Sequence, residues 1–305
     1  MITYESANEA KSNFNDVYLA PTPHAYFGEM HRLRYAIGQE ARPYFKAAVA
    51  LLRRQLPTDA TVRMFDLGCS YGVGSALVKY GFSFAEIADF FADKAEKDFR
   101  GCVKDMRHWL DEASAVNRLT CIGADSSAPA IKFAIEAGLI EDGIAHDFEA
   151  DPKLDDRECE LVKAADLLIS TGTIGYVGEK TLSTILRKLG EARPTDRVPL
   201  TVVTILRMFT PEPITTTFAN FGYRFEAVPG VRLRQRRFDN EHEQKETMRL
   251  VRARGLDPTG WESTGYLYAD LFIGARPDSF APLLSSMQDV ARRLGAVNGT
   301  DHSGN

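Results

Sequence analysis

A glycine-rich loop that follows a short apolar strand constrains the fold of this chain more than any other feature. Residues 62 to 67, VRMFDL, supply the buried strand, and Gly68, Gly72 and Gly74 follow it. Such glycines let the backbone turn tightly from a strand into a helix and approach a ligand without Cβ interference. The arrangement favours a pocket for a polar ligand such as a nucleotide.

The spacing of the glycines excludes two common nucleotide-binding loops. The dinucleotide fingerprint G-x-G-x-x-G is absent, because the later glycines follow Gly68 at offsets of four and six. The lysine and hydroxyl residue of a phosphate-binding P-loop are also missing. An alternative without a ligand is that Gly68 and Gly72 only turn a strand into a helix.

The loop resembles motif I of the class I S-adenosylmethionine (SAM) methyltransferases, usually D/E-x-G-x-G-x-G. Here the motif reads DLGCSYG, and Ser70 stands where that family often has its second glycine. The resemblance implies an α/β fold with a Rossmann-like, doubly wound and mostly parallel seven-stranded sheet, an antiparallel closing strand, and added N-terminal and inserted helices. It also implies a SAM site at Asp66, Gly68, Cys69, Ser70, Tyr71 and Gly72.

A second apolar strand, Leu119 to Ala124, ends in an acid. In Rossmann-like folds an acid at the end of the second strand accepts hydrogen bonds from ribose hydroxyls. Asp125, with Ser126 beside it, is therefore the predicted ribose ligand. Asp125 could instead be the N-cap of the helix that follows it and runs through Ala137.

Asp125 lies about 60 residues after Asp66, whereas a simple βαβ unit places the acid roughly 20 residues after the glycines. Residues 82–118 are rich in helix formers and are predicted to form one or two inserted helices. We expect an N-terminal helical lid at 1–56, a SAM-binding domain at 57–277, and a C-terminal helix with a disordered tail at 278–305.

The third strand is predicted at Gly143 to Phe148, after a turn. In the resembling family the residue at this strand end contacts the adenine, and Asp147 and Phe148 match that location. Glu149 or Asp151 could occupy the same place, or the acids could belong to a solvated loop.

The fourth strand, Ala165 to Ile169, runs into a polar, glycine-containing loop. Loops at this end of a parallel strand face cofactor and substrate, so Ser170 and Thr171 are expected near SAM. Tyr176 in the same loop is the predicted catalytic residue on the substrate side. Its ring could instead pack over the adenine or against the next helix.

Later apolar segments complete the expected sheet. Further strands are predicted at Val198–Phe209, Tyr223–Val228, Val231–Phe238 and Tyr266–Ala275, the last two as the antiparallel pair that closes the methyltransferase sheet. The alternation of Arg232, Arg234 and Arg236 is typical of the polar face of an edge strand, which we prefer to an anion site.

Composition narrows the partners of this 305-residue chain. Its formal net charge of -5 argues against a general nucleic-acid binder. Four cysteines without C-x-x-C spacing suit a reducing compartment and give no metal motif. No apolar run reaches the length of a membrane span. We expect a cytoplasmic protein with a small-molecule acceptor, and the sequence is compatible with a homodimer.

The resemblance implies methyl transfer from SAM to a small molecule by direct displacement, with catalysis mainly by proximity and orientation. His24, His31, His146 and Tyr176 are the candidates for a general base, and sequence distance does not choose among them. His24, Glu29 and His31 lack a recognised metal-ligand spacing, so no metal is expected.

Two alternatives keep the cofactor. A SAM-consuming cyclase, similar to the azetidine-2-carboxylate synthases, would release methylthioadenosine and would need a polar cage, for which Tyr176, Thr204 and Asp147 are candidates. A non-catalytic SAM-binding protein would bind the cofactor without turnover. A dinucleotide-dependent oxidoreductase is disfavoured by the glycine spacing.

Overall fold

One mixed β-sheet organises the computed structural model, which describes residues 8–92, 98–191 and 199–298. Within those ranges seven strands occur in the spatial order β3-β2-β1-β4-β5-β7-β6. They are β1 (Val62–Leu67), β2 (Leu119–Asp125), β3 (Asp142–Ala145), β4 (Leu167–Ser170), β5 (Leu200–Leu206), β6 (Arg224–Arg237) and β7 (Tyr266–Ala275). β7 runs antiparallel to both of its neighbours, and the other paired strands are parallel.

The strand order reverses beside β1. The chain moves outward from β1 through β2 to β3 on one side, and returns to pair β4 against the other side of β1. In such a sheet the loops that follow the two central strands diverge and leave a crevice at the strands' carboxyl ends. The loops after β1 and β4 therefore define the edge where a ligand is expected.

Helices cover both faces of this sheet, which suits strands as apolar as β5, where all seven residues are buried. The helices are α1 (Asn15–Tyr18), α2 (His24–Arg32), α3 (Ile37–Gln55), α4 (Val73–Val78), α5 (Phe84–Ala92), α6 (Phe99–Glu112), α7 (Ala128–Ala137), α8 (Asp156–Lys163), α9 (Glu179–Glu191), α10 (Glu212–Asn220), α11 (Glu241–Ala253) and α12 (Pro277–Asn298). The described part of the predicted insertion thus forms two helices, α5 and α6.

The N-cap of the helix after β2 is Ser127 and not Asp125, the residue considered from the sequence. The Ser127 hydroxyl accepts a hydrogen bond from the Ala130 N–H and caps α7, whose other end stops at Gly138 with φ +83°. Asp125 is therefore not the N-cap of α7, because Ser127 already satisfies the free N–H there. The carboxylate of Asp125 is left for other contacts.

Two hydrophobic cores are joined through the N-terminal segment. The larger core surrounds the sheet, and a second core packs α2 against α5, α6 and the start of α7. The rings of Phe27 on α2 and Phe91 on α5 stack with centroids 5.0 Å apart. Tyr35 packs against both cores. The chain before β1 is thereby fixed to the inserted helices.

Several strands begin or end at residues other than the predicted ones. β3 ends at Ala145, so Asp147 and Phe148 lie in the turn after it and not on the strand. β4 begins at Leu167, two residues later than predicted, and β5 ends at Leu206 rather than Phe209. Val198, the predicted start of the fifth strand, lies outside the described residues, as does the predicted disordered tail from residue 299 onward.

The two strands predicted between Tyr223 and Phe238 are one continuous edge strand, β6. Its pairing with β7 shifts register between Ala227 and Arg232. Gly230 lies in that interval with φ +77°, a backbone conformation that a glycine adopts without strain. The predicted antiparallel pairing of this region with Tyr266–Ala275 is confirmed.

The arginine stripe on β6 is only partly a solvent-facing edge. Arg232 and Arg234 are exposed, as predicted, but Arg236 is 4% exposed and pairs with Glu243 of α11. A second register shift between Arg234 and Arg237 breaks the alternation and turns Arg236 inward. The prediction for Arg236 was therefore wrong.

None of the helices within the described ranges combines the length and the apolar character needed to cross a membrane.

Candidate functional site

The loop after β1 bends back on itself through three left-handed residues. Gly68, Ser70 and Gly72 have φ values of +80°, +49° and +81°. A Cβ atom on Gly68 would lie 1.8 Å from the Thr173 Oγ1 atom of the loop after β4, so no side chain fits there. Ser70 adopts the conformation expected of the glycine it replaces, at a cost of about 1 kcal/mol.

Asp66 supports this loop from below. Its carboxylate is 4% exposed and accepts a hydrogen bond from the Gly74 N–H. A Cβ atom on Gly74 would lie 2.1 Å from Oδ2 of Asp66, so the glycine permits this close approach. Burial and the negative charge of Asp125 together raise the pKa of Asp66 to about 7. Asp66 thus braces the loop rather than facing a ligand.

Asp125 connects the end of β2 to the same loop. Its Oδ2 accepts a hydrogen bond from the Ser70 N–H at 2.9 Å, and its Oδ1 accepts one from the Ser127 N–H at 2.9 Å. The Ser126 N–H also donates to it, while the exposed Ser126 side chain points outward. Burial raises the pKa of Asp125 despite these bonds, and the carboxylate remains partly accessible.

Two other motif I side chains turn away from the loop's open side. The Cys69 thiol is buried against Gly123 of β2, and burial raises its pKa. The Tyr71 ring is fully buried in the second core, where its hydroxyl donates to the Ala20 carbonyl at 2.5 Å. Cys69 and Tyr71 can contact a ligand in the loop only through their backbone.

The loop after β4 meets the loop after β1 directly. The Ser170 hydroxyl is fully buried and donates to the Leu67 carbonyl at 2.8 Å. The Thr171 hydroxyl bonds the Tyr35 hydroxyl, and the Gly172 N–H donates to Thr204 Oγ1 at 3.2 Å. Ser170 is therefore structural, whereas Thr171 lies at the boundary between this loop and the N-terminal segment.

Tyr176 is both accessible and surrounded by protein. Its side chain is 55% exposed, yet burial raises the pKa of its phenol. The Tyr176 ring therefore borders both protein and open space at this edge of the sheet. The ammonium of Lys11 lies 3.8 Å from the ring centroid.

Five residues with this combination define what we name the central cavity: Lys11, Tyr18, Tyr35, Asp125 and Tyr176. None of them is fully buried, and burial moves the pKa of each, to about 12 for Tyr35 and to about 7 for Lys11. The Tyr18 phenol is near the centre, since burial raises its pKa and Tyr35, Tyr176, Arg236 and Asp125 all act on it electrostatically.

Sequence reasoning missed Lys11 as part of this site. The contact that brings its segment to the cavity, Asn8 Nδ2 donating to the Gly175 carbonyl at 2.5 Å, spans 167 residues. No local pattern around Lys11 marks such a long-range contact. Tyr18 and Tyr35 lie in the predicted N-terminal lid, but neither was predicted as a site residue.

The end of β3 is arranged differently from the prediction. The exposed Asp147 carboxylate accepts hydrogen bonds from the Glu149 and Ala150 N–H groups, both at 3.1 Å, within its own turn. Phe148 is buried beneath the ring of His146. An adenine contact by Asp147 or Phe148 stays a prediction, and Asp147 would have to leave its turn to make it.

Glu149, the alternative to Asp147, ties two loops together. Its Oε1 accepts hydrogen bonds from the Gly178 N–H at 2.6 Å and from the Thr181 hydroxyl at 2.6 Å. The Glu149 carboxylate thus fixes the start of α9 and the end of the loop that carries Tyr176. Asp151, the other alternative, accepts from the Lys153 N–H.

Three of the four candidate bases lie outside the central cavity. Both ring nitrogens of His146 have partners, the Glu158 carboxylate at 3.1 Å and the Asp151 carbonyl at 2.6 Å. His24 packs against Phe91, and His31 is exposed on α2. Of the predicted bases, Tyr176 alone lines the cavity.

The structure offers no cluster for a metal among its described residues. No group of three or more histidine, cysteine, aspartate or glutamate side chains there could hold an ion. Glu29, which was considered with His24 and His31, pairs with Arg32 instead.

Two open surface grooves lie away from the central cavity. One of about 420 Å³ runs along α6 beside Arg107 and Glu136, and one of about 580 Å³ lies beside Phe99 and Pro129. Neither is lined by a residue of the loops after β1 and β4. The candidate site is therefore assigned to the sheet edge and not to these grooves.

Three features now coincide at one edge: the strand order with an antiparallel β7, the glycine loop after β1, and the acid at the end of β2. The fold is that of the class I SAM-dependent methyltransferases. In this methyltransferase fold the central cavity opens at the point where the strand order reverses.

Comparison with known proteins found similar chains among solved structures. No family model matches the chain, and no curated protein matches it in sequence. Among solved structures it is similar to the plantazolicin methyltransferase BamL in complex with a triazolic desmethylPZN analog and SAH (S-adenosylhomocysteine), at 13% identity and TM-score 0.45, covering 89% of this chain and 94% of that one.

Two further solved structures match at lower scores. Magnesium protoporphyrin IX methyltransferase from Synechocystis PCC 6803 with bound SAM has 10% identity and TM-score 0.37, covering 79% of this chain and 80% of that chain. The [4+2]-cyclase SpnF has 13% identity and TM-score 0.33, covering 85% and 97%. The fold assignment rests on the strand order and the site geometry rather than on these values.

Proposed function

We propose that this chain is a SAM-dependent methyltransferase that acts on a small molecule by direct displacement at the SAM methyl group. The observation that carries the proposal is the hydrogen bond between Asp125 and the Ser70 N–H at the reversal of strand order. It joins the acid suited to a ribose with the glycine loop suited to the rest of the cofactor.

The available donors and acceptors fit SAM. The Asp125 carboxylate accepts three backbone N–H groups, which leaves one of its four lone pairs for a ribose hydroxyl. The absence of a side chain at Gly68 lets Thr173 of the loop after β4 pack directly on this backbone, which fixes the shape of the loop that would bind the cofactor. The phenol rings of Tyr18 and Tyr35 offer π-faces that attract a cation such as a sulfonium.

The residues of the chain would act by orientation and by exclusion of water. When bound, SAM supplies a methyl group activated by the positive charge on sulfur. Tyr18 and Tyr35 of the N-terminal segment, which we propose as a lid, would cover the reacting atoms. Tyr176 would position the acceptor, as it lies on the cavity wall and its hydroxyl can donate or accept.

Calorimetry with SAM and with SAH tests the cofactor assignment. Asp125→Asn keeps the size of the side chain but removes the charge, so we expect affinity to fall about tenfold or more. The matched control is Asp89→Asn, an exposed acid on α5, which should bind like the wild type. Wild-type protein that binds neither SAM nor SAH would refute the proposal.

A second measurement separates transfer from the alternatives. Mass spectrometry after incubation with SAM and an acceptor panel should detect SAH and a methylated product. Methylthioadenosine formed from SAM alone would favour the cyclase, and tight SAH binding without turnover a non-catalytic protein. The cyclase is the weaker candidate, because the Thr204 hydroxyl already holds Gly172 and Asp147 is exposed within its own turn.

A further inference from the structure

Lys11 is an unusual residue in the central cavity. Its Nζ atom lies 3.8 Å from the ring centroid of Tyr176 and 5.8 Å from that of Phe209. Within the described part of the chain no ion pair joins this amine to a carboxylate. A partly buried ammonium against aromatic faces, without a counter-ion in contact, needs an explanation.

The charges around Lys11 leave it uncompensated. Arg236 and Glu243 are its charged neighbours, and they form a buried pair with Nη2 and Oε1 at 2.6 Å. Glu243 also accepts hydrogen bonds from the N–H groups of Ser12 and Asp239. Burial and the positive charge of Arg236 lower the pKa of Lys11 to about 7, although Glu243 opposes them.

Side-chain hydrogen bonds on both sides of Lys11 in the sequence fix its segment to two other parts of the chain. Asn8 Nδ2 donates to the Gly175 carbonyl of the loop after β4, and the Ser12 hydroxyl donates to Asp239 just before α11 at 3.0 Å. The amine is therefore held at a defined place over Tyr176 instead of extending into solvent. Such fixed placement is what a proton-transfer group requires.

We propose, on the basis of the proposed methyltransferase function, that the Lys11 amine is the general base for an acceptor that carries an aromatic hydroxyl. The accessible rings of Tyr176, Tyr18 and Tyr35 suit an aromatic acceptor. A protonated amine acceptor suits the site less, because Arg236 and the sulfonium already place positive charge there.

The proton and electron balance of this step is complete. The acceptor O–H bond breaks, its proton moves to Nζ of Lys11, and the resulting ammonium stabilises the phenolate. The acceptor oxygen then forms a bond to the methyl carbon while the S–CH₃ bond breaks, and the electron pair stays on sulfur. The products are a methyl ether and SAH, and Lys11 returns its proton to solvent.

The first test measures the pKa of the Lys11 amine. Reductive methylation with ¹³C-formaldehyde followed by NMR titration gives the pKa of each lysine, and the signal missing from Lys11→Met identifies Lys11. We expect that signal to titrate near neutrality, well below the other lysines. Titration in the ordinary lysine range would overturn the proposal, whether or not SAM binds.

The second test uses para-nitrophenol as the probe, because its phenol and phenolate absorb differently. With and without SAH, wild-type protein should bind the phenolate form near neutral pH, and Lys11→Met should lose that spectral shift. Lys11→Arg should retain the shift, since it keeps the charge. Equal phenolate binding by wild type and Lys11→Met would contradict the proposal.

The third test is kinetic, on phenolic acceptors identified in the screen. Lys11→Met and Lys11→Arg should both lower kcat by about 100-fold near neutral pH, with a smaller deficit at high pH where the phenol ionises by itself. The control Lys180→Met changes an exposed lysine on α9 and should have no effect. SAM affinity should stay within about twofold of wild type in every variant, which separates loss of this base from failure of the cofactor proposal.

Discussion

At the residue scale, the close packing of the loop after β1 makes the stability of the protein depend on the protonation of Asp66. Its carboxylate is buried beneath Gly74, and burial together with the charge of Asp125 raises its pKa from 3.8 to about 7. Between these two pH values Asp66 is therefore protonated in the folded protein but ionised in the unfolded chain. Stability from this group is fully present below about pH 4 and is lost as pH rises through about 7.

We predict that Asp66→Asn removes much of this pH dependence. The amide keeps the size of the carboxylate and an oxygen that can accept from the Gly74 N–H, but it does not ionise. Wild type should lose about 3 kcal/mol more than the variant between about pH 4 and about pH 8. Urea denaturation across that range measures the difference.

The same pH series contains its own check. Asp125 also has a raised pKa, so some decrease in stability should persist in Asp66→Asn. If the free energy of unfolding depended on pH in the same way in wild type and variant, the pKa of Asp66 would not be raised, contrary to what its burial implies. The control Asp89→Asn, at an exposed acid, should follow the wild type.

The sequence could predict the parts of the candidate site that follow directly on strands. Asp125 and the glycine loop could be predicted because their positions follow a strand end, which is a local pattern. Lys11 could not be predicted, because its environment is made by α11 and by the loop after β4. The roles of Cys69 and Tyr71 also depend on which way each side chain turns, and spacing does not determine that.

At the element scale, the pair between β6 and α11 holds the N-terminal segment over the cavity. Arg236 and Glu243 are 4% and 1% exposed, and Glu243 accepts a hydrogen bond from the Ser12 N–H at 3.0 Å. Replacing one partner leaves a buried charge without its counter-ion. The strand, the helix and the segment are therefore stabilised together.

We predict that Glu243→Gln lowers the free energy of unfolding by about 3 to 5 kcal/mol. The matched control is Glu226→Gln on β6, the strand that carries Arg236, because the pair of Glu226 with Arg224 is about half exposed and should contribute little to stability. Urea denaturation compares the two. Similar losses in both variants would show that the buried pair stabilises the protein no more than the exposed pair does.

Hydrogen exchange adds the local consequence of Glu243→Gln. Amides of residues 8–14 should exchange faster in this variant, because Ser12 loses a charged acceptor. Protection unchanged from wild type would mean that other contacts hold the segment.

Element boundaries were predictable where a strand is uniformly apolar or ends at a motif, as in β1 and β2. They were not predictable where tertiary contacts decide them. Gly230 signals a break in the sequence, yet β6 passes through it because β7 continues to pair on both sides. Arg236 has the sequence pattern of an exposed residue, and only α11 explains why it is buried.

At the scale of the whole molecule, two cores share the chain before β1. One tryptophan lies beside each core. Trp109 stacks on Phe82 and Phe90 at the second core, and Trp261 packs on Tyr268 beside the sheet. Because Tyr35 packs against both cores, we expect them to unfold in one transition.

We predict that Phe27→Ala lowers the stability of both cores by about 3 to 5 kcal/mol, since this ring is 1% exposed and stacks on Phe91. Single-tryptophan proteins, Trp109→Phe and Trp261→Phe, report on each core by fluorescence during urea denaturation. Leu19→Ala, at a residue that is 55% exposed, is the control and should change stability by about 0.5 kcal/mol or less. Separate midpoints for the two reporters would contradict coupling of the cores.

The contact between Ser12 and Glu243 also bears on how the chain is made. It joins residues 231 positions apart, so the ribosome has synthesised most of the protein before the partner of Ser12 emerges. During that time the β1 loop and β2 can form, while the segment that carries Lys11 still lacks its contact with α11. Closure of the cavity is therefore a late event of biosynthesis, and the slow, long-range step of folding coincides with the assembly of the candidate site.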